Sequence, residues 1–383
     1  MPEVQAAEAR AQARPSPCCP RRRFSCLRCS GASFGNGSLR CWGDNSAGQF
    51  GNGEADTKPH YVPEHAGGSQ TFAAIAVGGG YVCGLDAYGT AYCWGDNGDS
   101  QCGPECTTTP TAMFAGHRFV ALSAGGKHTC GLDKAGTAYC WGSNANGALG
   151  TIDDLTLTFN QVSGGPFKAI AAGQDNTCAL TTDGTAYCWG LDASSVLGNT
   201  GDAEPCSGGC GGQGVGGAPS GIYAPAPVSG ALRFASIWVN AFNACGVDTE
   251  GAGWCWGEND DGQLGDGTFG ADQAAPVRYQ VPRGVLLQQM VPMWPTCALS
   301  VTGDVYCAGA NQHGALGLGT ADMNPHPTPT LVPGLPPIVD IAGDNFAVCA
   351  LTADGKRYCW GNNALGALGD GTTTDRWSPE LTP

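Results

Sequence analysis

Pairs of cysteines ten residues apart recur along this chain of 383 residues, and they constrain its fold more than any other feature. Each pair encloses a turn sequence that contains a glycine, as in "CALTTDGTAYCWG" from Cys178 to Gly190. The residues on either side of this turn are typical of the two strands of a β-hairpin. The six pairs are Cys83 and Cys93, Cys130 and Cys140, Cys178 and Cys188, Cys245 and Cys255, Cys297 and Cys307, and Cys349 and Cys359. The spacing therefore predicts six similar hairpins.

The second cysteine of each pair marks a repeating unit. Cys41 adds a seventh unit at the start, and the steps between successive units are 52, 47, 48, 67, 52 and 52 residues. A period near fifty residues is typical of propeller blades, in which four-stranded sheets bury their faces against their neighbours. We predict an all-β, seven-bladed β-propeller over residues 24–383 and a disordered N-terminal tail over residues 1–23.

The predicted hairpin register brings the cysteines of each pair together. With a turn that ends at Gly184, Cys178 lies opposite Cys188, and opposed Cα atoms on antiparallel strands are about 4.5–5.5 Å apart, which a disulfide can span. Buried reduced thiols are the alternative. Zinc is disfavoured because single cysteines ten residues apart lack the short spacing of structural zinc sites. We predict disulfides, since an oxidising compartment favours so many facing pairs.

A tryptophan follows most of the second cysteines. We expect it to pack between blades rather than to form a ligand platform. Unit six has Ala308 in this place, and we expect Trp294 to compensate. The tryptophans predicted to pack between blades are Trp42, Trp94, Trp141, Trp189, Trp256 and Trp360.

The unit "IAAG…TCAL…DGTAYCWG.N..GALGDGT" resembles the repeat of the regulator of chromosome condensation family over nearly all of residues 24–383. The resemblance implies a seven-bladed β-propeller, and the cysteine-paired form is similar to repeats of exported bacterial members. We expect the C-terminal segment "TTTDRWSPELTP" to supply the missing strand of the first blade and so close the ring.

The remaining cysteines lie in less regular sequence. Cys41 has Cys29 and Cys26 as alternative partners, and Cys18 and Cys19 are unassigned. Two further pairs, Cys102 with Cys106 and Cys206 with Cys210, are predicted to form local disulfides in long surface connections. The second pair lies in a Gly-rich insertion at about residues 199–221, which we favour as a contact surface together with the following segment "PSGIYAPAP".

The net charge of the chain indicates which partners are expected. The net charge is −15, and residues 41–383 alone carry 11 Lys and Arg against 31 Asp and Glu. This acidic body disfavours nucleic-acid binding.

Residues 1–23 have no apolar stretch of the kind that a secretory signal contains. The cysteine pattern nevertheless favours an extracellular, periplasmic or cell-surface protein, so we favour a missing or wrongly assigned start over thiols that stay reduced inside the cell.

No catalytic constellation emerges from the sequence. The six His form no metal-binding pair, His128 is expected to pack in its strand, and "ENDDG" does not fit a calcium loop. We therefore expect no enzyme activity, cofactor, metal or membrane span. The preferred hypothesis is an exported, monomeric scaffold that binds an unidentified protein or glycan. The alternatives are an exported enzyme inhibitor and, as the family resemblance implies, a guanine-nucleotide exchange factor.

Overall fold

A computed structural model describes residues 32–33, 39–103, 105–151, 159–199, 221–344 and 346–383 of the chain. The predicted tail, residues 1–23, lies outside these ranges. In chain order the strands are β1 (Ala32–Ser33), β2 (Leu39–Asn45), β3 (Asp56–Ala66), β4 (Ala74–Val77), β5 (Tyr81–Leu85), β6 (Ala91–Gly95), β7 (Thr111–Ala112), β8 (Phe119–Ala124), β9 (His128–Asp133), β10 (Ala138–Gly142), β11 (Asn160–Gln161), β12 (Phe167–Ala172), β13 (Asn176–Thr181), β14 (Ala186–Leu191), β15 (Gly221–Pro227), β16 (Phe234–Val239), β17 (Asn243–Asp248), β18 (Gly253–Gly257), β19 (Gln273–Arg278), β20 (Leu287–Val291), β21 (Thr296–Ser300), β22 (Val305–Gly309), β23 (His326–Leu331), β24 (Ile338–Asp344), β25 (Ala347–Thr352), β26 (Arg357–Gly361) and β27 (Arg376–Thr382). Two short 3₁₀ helices span Ala193–Ser195 and Gln312–Gly314.

The strands form antiparallel sheets in which chain neighbours pair. Strands β4 to β27 make six four-stranded sheets, here called blades 2 to 7, and β1, β2 and β3 make a three-stranded sheet, here called blade 1. The all-β propeller prediction is confirmed at the level of class. The count of seven complete blades is not met, because the described part of the first unit contains only the equivalents of the second, third and fourth strands.

The central hairpins have the predicted register. In blade 4, Cys178 lies opposite Cys188 and Leu180 lies opposite Ala186. The turn ends at Gly184, whose φ of 89° is in the left-handed region and whose N–H donates to the Thr181 carbonyl at 2.9 Å. A glycine suits this position because it has no Cβ to clash there.

The apolar core lies between blades rather than within them. One cluster, for example, combines Leu180 and Cys188 of blade 4 with Phe234 and Trp256 of blade 5. Equivalent clusters join each consecutive pair of blades from blade 1 to blade 7. Each sheet is therefore stabilised by the next, as expected when a single blade cannot bury its own faces.

The prediction of how the ring closes is wrong. The C-terminal strand β27 pairs with β26 inside blade 7, where Cys359 lies opposite Glu380, and does not join blade 1. Blades 1 and 7 instead meet through individual contacts. The Trp42 indole N–H donates to the Ala367 carbonyl at 2.8 Å, and the Gly371 N–H donates to the Tyr61 carbonyl at 2.9 Å. Because β26 already offers a free edge in its own sheet, the C-terminal segment pairs locally.

Candidate functional site

All six hairpin cysteine pairs form disulfides between the second and third strands of blades 2 to 7. The Cα atoms of each pair are 4.1 Å apart. Most of these cysteines are fully buried, and Cys349 is half-buried. The bonds lie inside single blades, so they hold each hairpin in register and leave the packing between blades to noncovalent contacts.

The other predicted disulfides are only partly described. Cys102 and Cys106 are bonded in the connection between β6 and β7, with 5.4 Å between their Cα atoms. Cys41 is disulfide-bonded. Its suggested partners Cys26 and Cys29, and the pair Cys206 and Cys210, lie outside the described residues.

Five of the six tryptophans make the same contact with the preceding blade. Each buried indole N–H donates to a backbone carbonyl in that blade, as Trp189 does to Ala148 at 2.9 Å. The other four pairs are Trp42 with Ala367, Trp94 with Gln49, Trp256 with Val196, and Trp360 with Ala315, at 2.8–3.0 Å. These side chains lie between blades and offer no ring face to a ligand.

Two interfaces depart from this pattern. Trp141 is 1% exposed, but its indole N–H finds no acceptor among the described residues, and its ring lies 4.9 Å from that of Phe114. In unit six, Tyr279 packs in the core cluster with Ala308 and takes the place of the missing tryptophan. The expectation that Trp294 would fill this place is wrong, because Trp294 lies instead at one end of the propeller.

The long connections all lie at one end of the propeller. Connections from the third to the fourth strand of each blade are 10 to 29 residues long, whereas those from the second to the third strand, at the opposite end, have four or five residues in blades 2 to 7. By sequence the described parts of the long connections contain 13 Asp or Glu and no Lys or Arg; these parts are 46–55, 96–103, 105–110, 143–151, 159, 192–199, 258–272, 310–325 and 362–375. The connections at the opposite end contain five acidic and five basic residues. We call the end with the long connections the acidic end.

The favoured insertion at about residues 199–221 falls between β14 and β15 in the chain, and residues 200–220 lie outside the described ranges. The segment after it is not a free loop. Residues 221–227 form β15, the fourth strand of blade 4, and Ala226 lies opposite Cys188.

One residue in each four-stranded blade lies one or two positions before the second strand, at the acidic end. In blades 2, 3, 5 and 7 its carbonyl accepts the first N–H of the long connection of the same blade, as Phe242 does from Glu258 at 2.9 Å. In every blade it is the third residue before the first cysteine of the hairpin. We call these the ring residues; from blade 2 to blade 7 they are Gly80, Lys127, Asp175, Phe242, Trp294 and Phe346.

The ring residues divide into a polar half and an aromatic half. On the polar side, the Lys127 ammonium lies 3.3 Å from the Asp99 carboxylate, and burial raises the pKa of Asp175. On the aromatic side, the Trp294 ring centroid lies 6.1 Å from that of Phe242 and 5.6 Å from that of Phe346. All three aromatic side chains are half-buried. This arrangement was not predicted from the sequence.

His128 has a structural place, as expected. It is 1% exposed, and its Nε2 lies 2.8 Å from the Thr177 hydroxyl oxygen of the next blade. Burial lowers the pKa of His128 to about 4. The imidazole is therefore neutral near pH 7 and contributes to the contact between blades.

No group of three His, Cys, Asp or Glu side chains in the described ranges is arranged to hold a metal ion. The same part of the chain contains no helix with the length and hydropathy needed to cross a bilayer.

These features define a β-propeller whose blades carry a disulfide in each complete hairpin. The model of the RCC1-like domain family matches residues 38–383, and the chain belongs to this family.

Known proteins agree with this assignment. The chain is 32% identical over 153 residues to the Ultraviolet-B receptor UVR8 of Arabidopsis thaliana, covering 39% of this chain and 34% of that protein. It is 32% identical over 124 residues to human Protein RCC2, covering 32% of this chain and 24% of that protein. The matches thus span about a third or less of these relatives. Yeast RCC1 (Prp20), solved bound to Kap60, shares the fold with a TM-score of 0.78 at 20% identity, covering 96% of this chain and 89% of that one.

Proposed function

We propose that this chain is a non-enzymatic binding scaffold of an exported protein and that it presents its acidic end to a partner. The contrast between the two ends carries the proposal. Turns of four or five residues recur at one end, while connections of 10 to 29 residues vary at the other. Binding residues are concentrated on variable connections that a rigid framework positions.

The disulfides support export. Six hairpin bonds and the bond between Cys102 and Cys106 are present among the described residues. Disulfides in such number persist in oxidising compartments and are rare in the cytosol. A thiol count on the protein from its native source, denatured without reductant, tests this part. Free thiols at the hairpin positions would contradict export.

Binding at the acidic end is tested with two matched insertions. Gly270 at the acidic end and Gly230 at the opposite end both have positive φ and open space around the Cα atom, so a short Gly/Ser segment fits after either residue. The partner is first captured from the native source and its saturable binding measured. We expect the insertion after Gly270 to weaken binding and the insertion after Gly230 to leave it unchanged. Equal binding by both variants would contradict the proposal.

The same protein tests the alternatives. Faster nucleotide release from a small GTPase would favour guanine-nucleotide exchange, and inhibition of a captured enzyme would favour the inhibitor hypothesis. We also propose that the chain acts as a monomer, which light scattering on the oxidised protein checks.

A further inference from the structure

In the aromatic half of the ring residues, three half-buried aromatic side chains lie side by side, whereas the tryptophans that follow the hairpin cysteines are buried between blades. Phe242, Trp294 and Phe346 belong to three adjacent blades, and their side chains form a row with successive centroid distances of 6.1 and 5.6 Å. The rings of Phe242 and Trp294 are nearly parallel, with 17° between their planes. Neighbouring half-buried aromatic side chains on an otherwise polar surface are typical of an interaction site.

One carboxylate contacts this aromatic row, and two more follow it in the same connection. The Trp294 indole N–H donates to Glu258 Oε2 at 3.0 Å, and the Glu258 side chain is 5% exposed. Asp260 and Asp261 follow in the same connection, and burial together with the charge of Asp260 raises the pKa of Asp261. An acidic environment next to aromatic faces attracts cations both by charge and by the quadrupole of the rings.

We propose that the acidic end binds a basic segment of a protein partner and that Phe242, Trp294 and Phe346 receive its Arg or Lys side chains. This inference rests on the proposed function and names the chemistry of the partner. The planar guanidinium of Arg stacks on aromatic faces, while these carboxylates complement its charge. Lys127, the one Lys among the ring residues, is already neutralised by its ion pair with Asp99.

The probe is a short labelled peptide of alternating Arg and Gly, with a peptide of alternating Glu and Gly as its charge-reversed control. Fluorescence anisotropy on the full oxidised chain gives the Kd. We expect only the Arg peptide to bind, and Trp294→Ala to weaken its binding roughly ten-fold because an aromatic face is lost. Trp294→Phe keeps an aromatic face and is expected to retain most of the affinity.

Tyr88→Ala is the matched control, because Tyr88 is an aromatic side chain, 83% exposed, in a turn at the opposite end. It is expected to leave binding unchanged. Asp260→Asn with Asp261→Asn is expected to weaken binding and to reduce its salt dependence. Circular dichroism and thermal melting confirm that each variant is folded before its affinity is compared.

Two results would overturn the inference. In the first, Trp294→Ala binds the Arg peptide as tightly as the unmodified chain, so that binding is unspecific charge attraction. In the second, the Arg peptide does not bind while an array of neutral glycans gives saturable binding that Trp294→Ala abolishes, so that the aromatic row serves a sugar. If the captured partner binds at the acidic end but the Arg peptide does not displace it, this inference fails while the scaffold proposal stands.

Discussion

The guanidinium carbon of Arg357 in blade 7 lies 4.1 Å from the centroid of the Trp42 ring in blade 1. Arg357 is 9% exposed, and burial lowers its pKa to about 10. Its Nε donates to the Thr382 hydroxyl at 2.7 Å, and one of its Nη atoms donates to the Pro383 carbonyl at 2.8 Å. This side chain therefore connects the C-terminus to the junction between the last blade and the first.

Replacing this arginine is expected to weaken the junction. Arg357→Met keeps an apolar stem but removes the cation and its donors, so we expect the free energy of unfolding to fall by roughly 1–3 kcal/mol. Denaturant titration measures it. Arg233→Met is the control, since Arg233 is exposed, pairs with the exposed Asp183 and donates to the carbonyl of the neighbouring Leu232. A pair of this kind contributes little. Equal losses in both variants would contradict a special role for Arg357.

The hydrogen bonds of the tryptophans between blades predict a difference between two similar variants. Trp189→Phe removes the N–H that donates to Ala148, whereas Trp141→Phe removes an N–H without an acceptor among the described residues. Both variants lose the same ring volume. We expect Trp189→Phe to destabilise by about 1 kcal/mol more than Trp141→Phe, which is the contribution of a typical hydrogen bond. Denaturant midpoints decide the question, and a larger loss for Trp141→Phe would contradict it.

His128 predicts a loss of stability in mild acid. Its pKa is lowered from 6.5 to about 4 in the folded protein, so the unfolded chain binds a proton first as the pH falls. Stability is therefore full above pH 6.5 and declines between pH 6.5 and about 4, by roughly 3 kcal/mol for this group. We expect His128→Gln to flatten this part of the stability profile. His65→Gln, at an exposed position, is expected to leave the profile unchanged, and an unchanged profile in His128→Gln would refute the assignment.

The burial of the disulfides predicts the order in which they are reduced. Cys106 is half-buried in a surface connection, while Cys178 and Cys188 are 0% exposed. Under native conditions with a reductant and an alkylating agent, we expect Cys102 and Cys106 to be labelled first. The buried hairpin pairs are labelled only when the blades open, because attack requires access to the sulfur. Mass spectrometry of digests taken over time gives the order, and rapid labelling of Cys178 would speak against it.

The hairpins could be predicted from the sequence because the period of the repeat and the spacing of its cysteines both reflect the same local geometry. A turn that ends at Gly184 sets the strand register, and the register sets which residues face each other, so Cys178 and Cys188 could be paired from spacing alone. Ring closure could not be read in this way. The sequence of the C-terminal segment is compatible with the missing first strand of blade 1 or with the fourth strand of blade 7, and only the pairing of β27 with β26 shows which of the two it forms.

The candidate site was missed for a different reason. Alignment on the second cysteine emphasises positions that are alike in every unit, whereas the ring residues differ from blade to blade. The signal was nevertheless present, since Phe242, Trp294 and Phe346 each stand three residues before a hairpin cysteine. What the sequence could not show is that adjacent blades place these rings within 5.6 to 6.1 Å of one another.

Every disulfide whose two cysteines are described joins cysteines that are consecutive in the chain. In the exported protein proposed above, a chain that crosses the membrane from its N-terminus can therefore oxidise each hairpin as it emerges, before the next cysteine arrives. Mispaired intermediates that need reshuffling by an isomerase are then rare, so folding yield should depend little on such catalysts despite the high number of sulfurs.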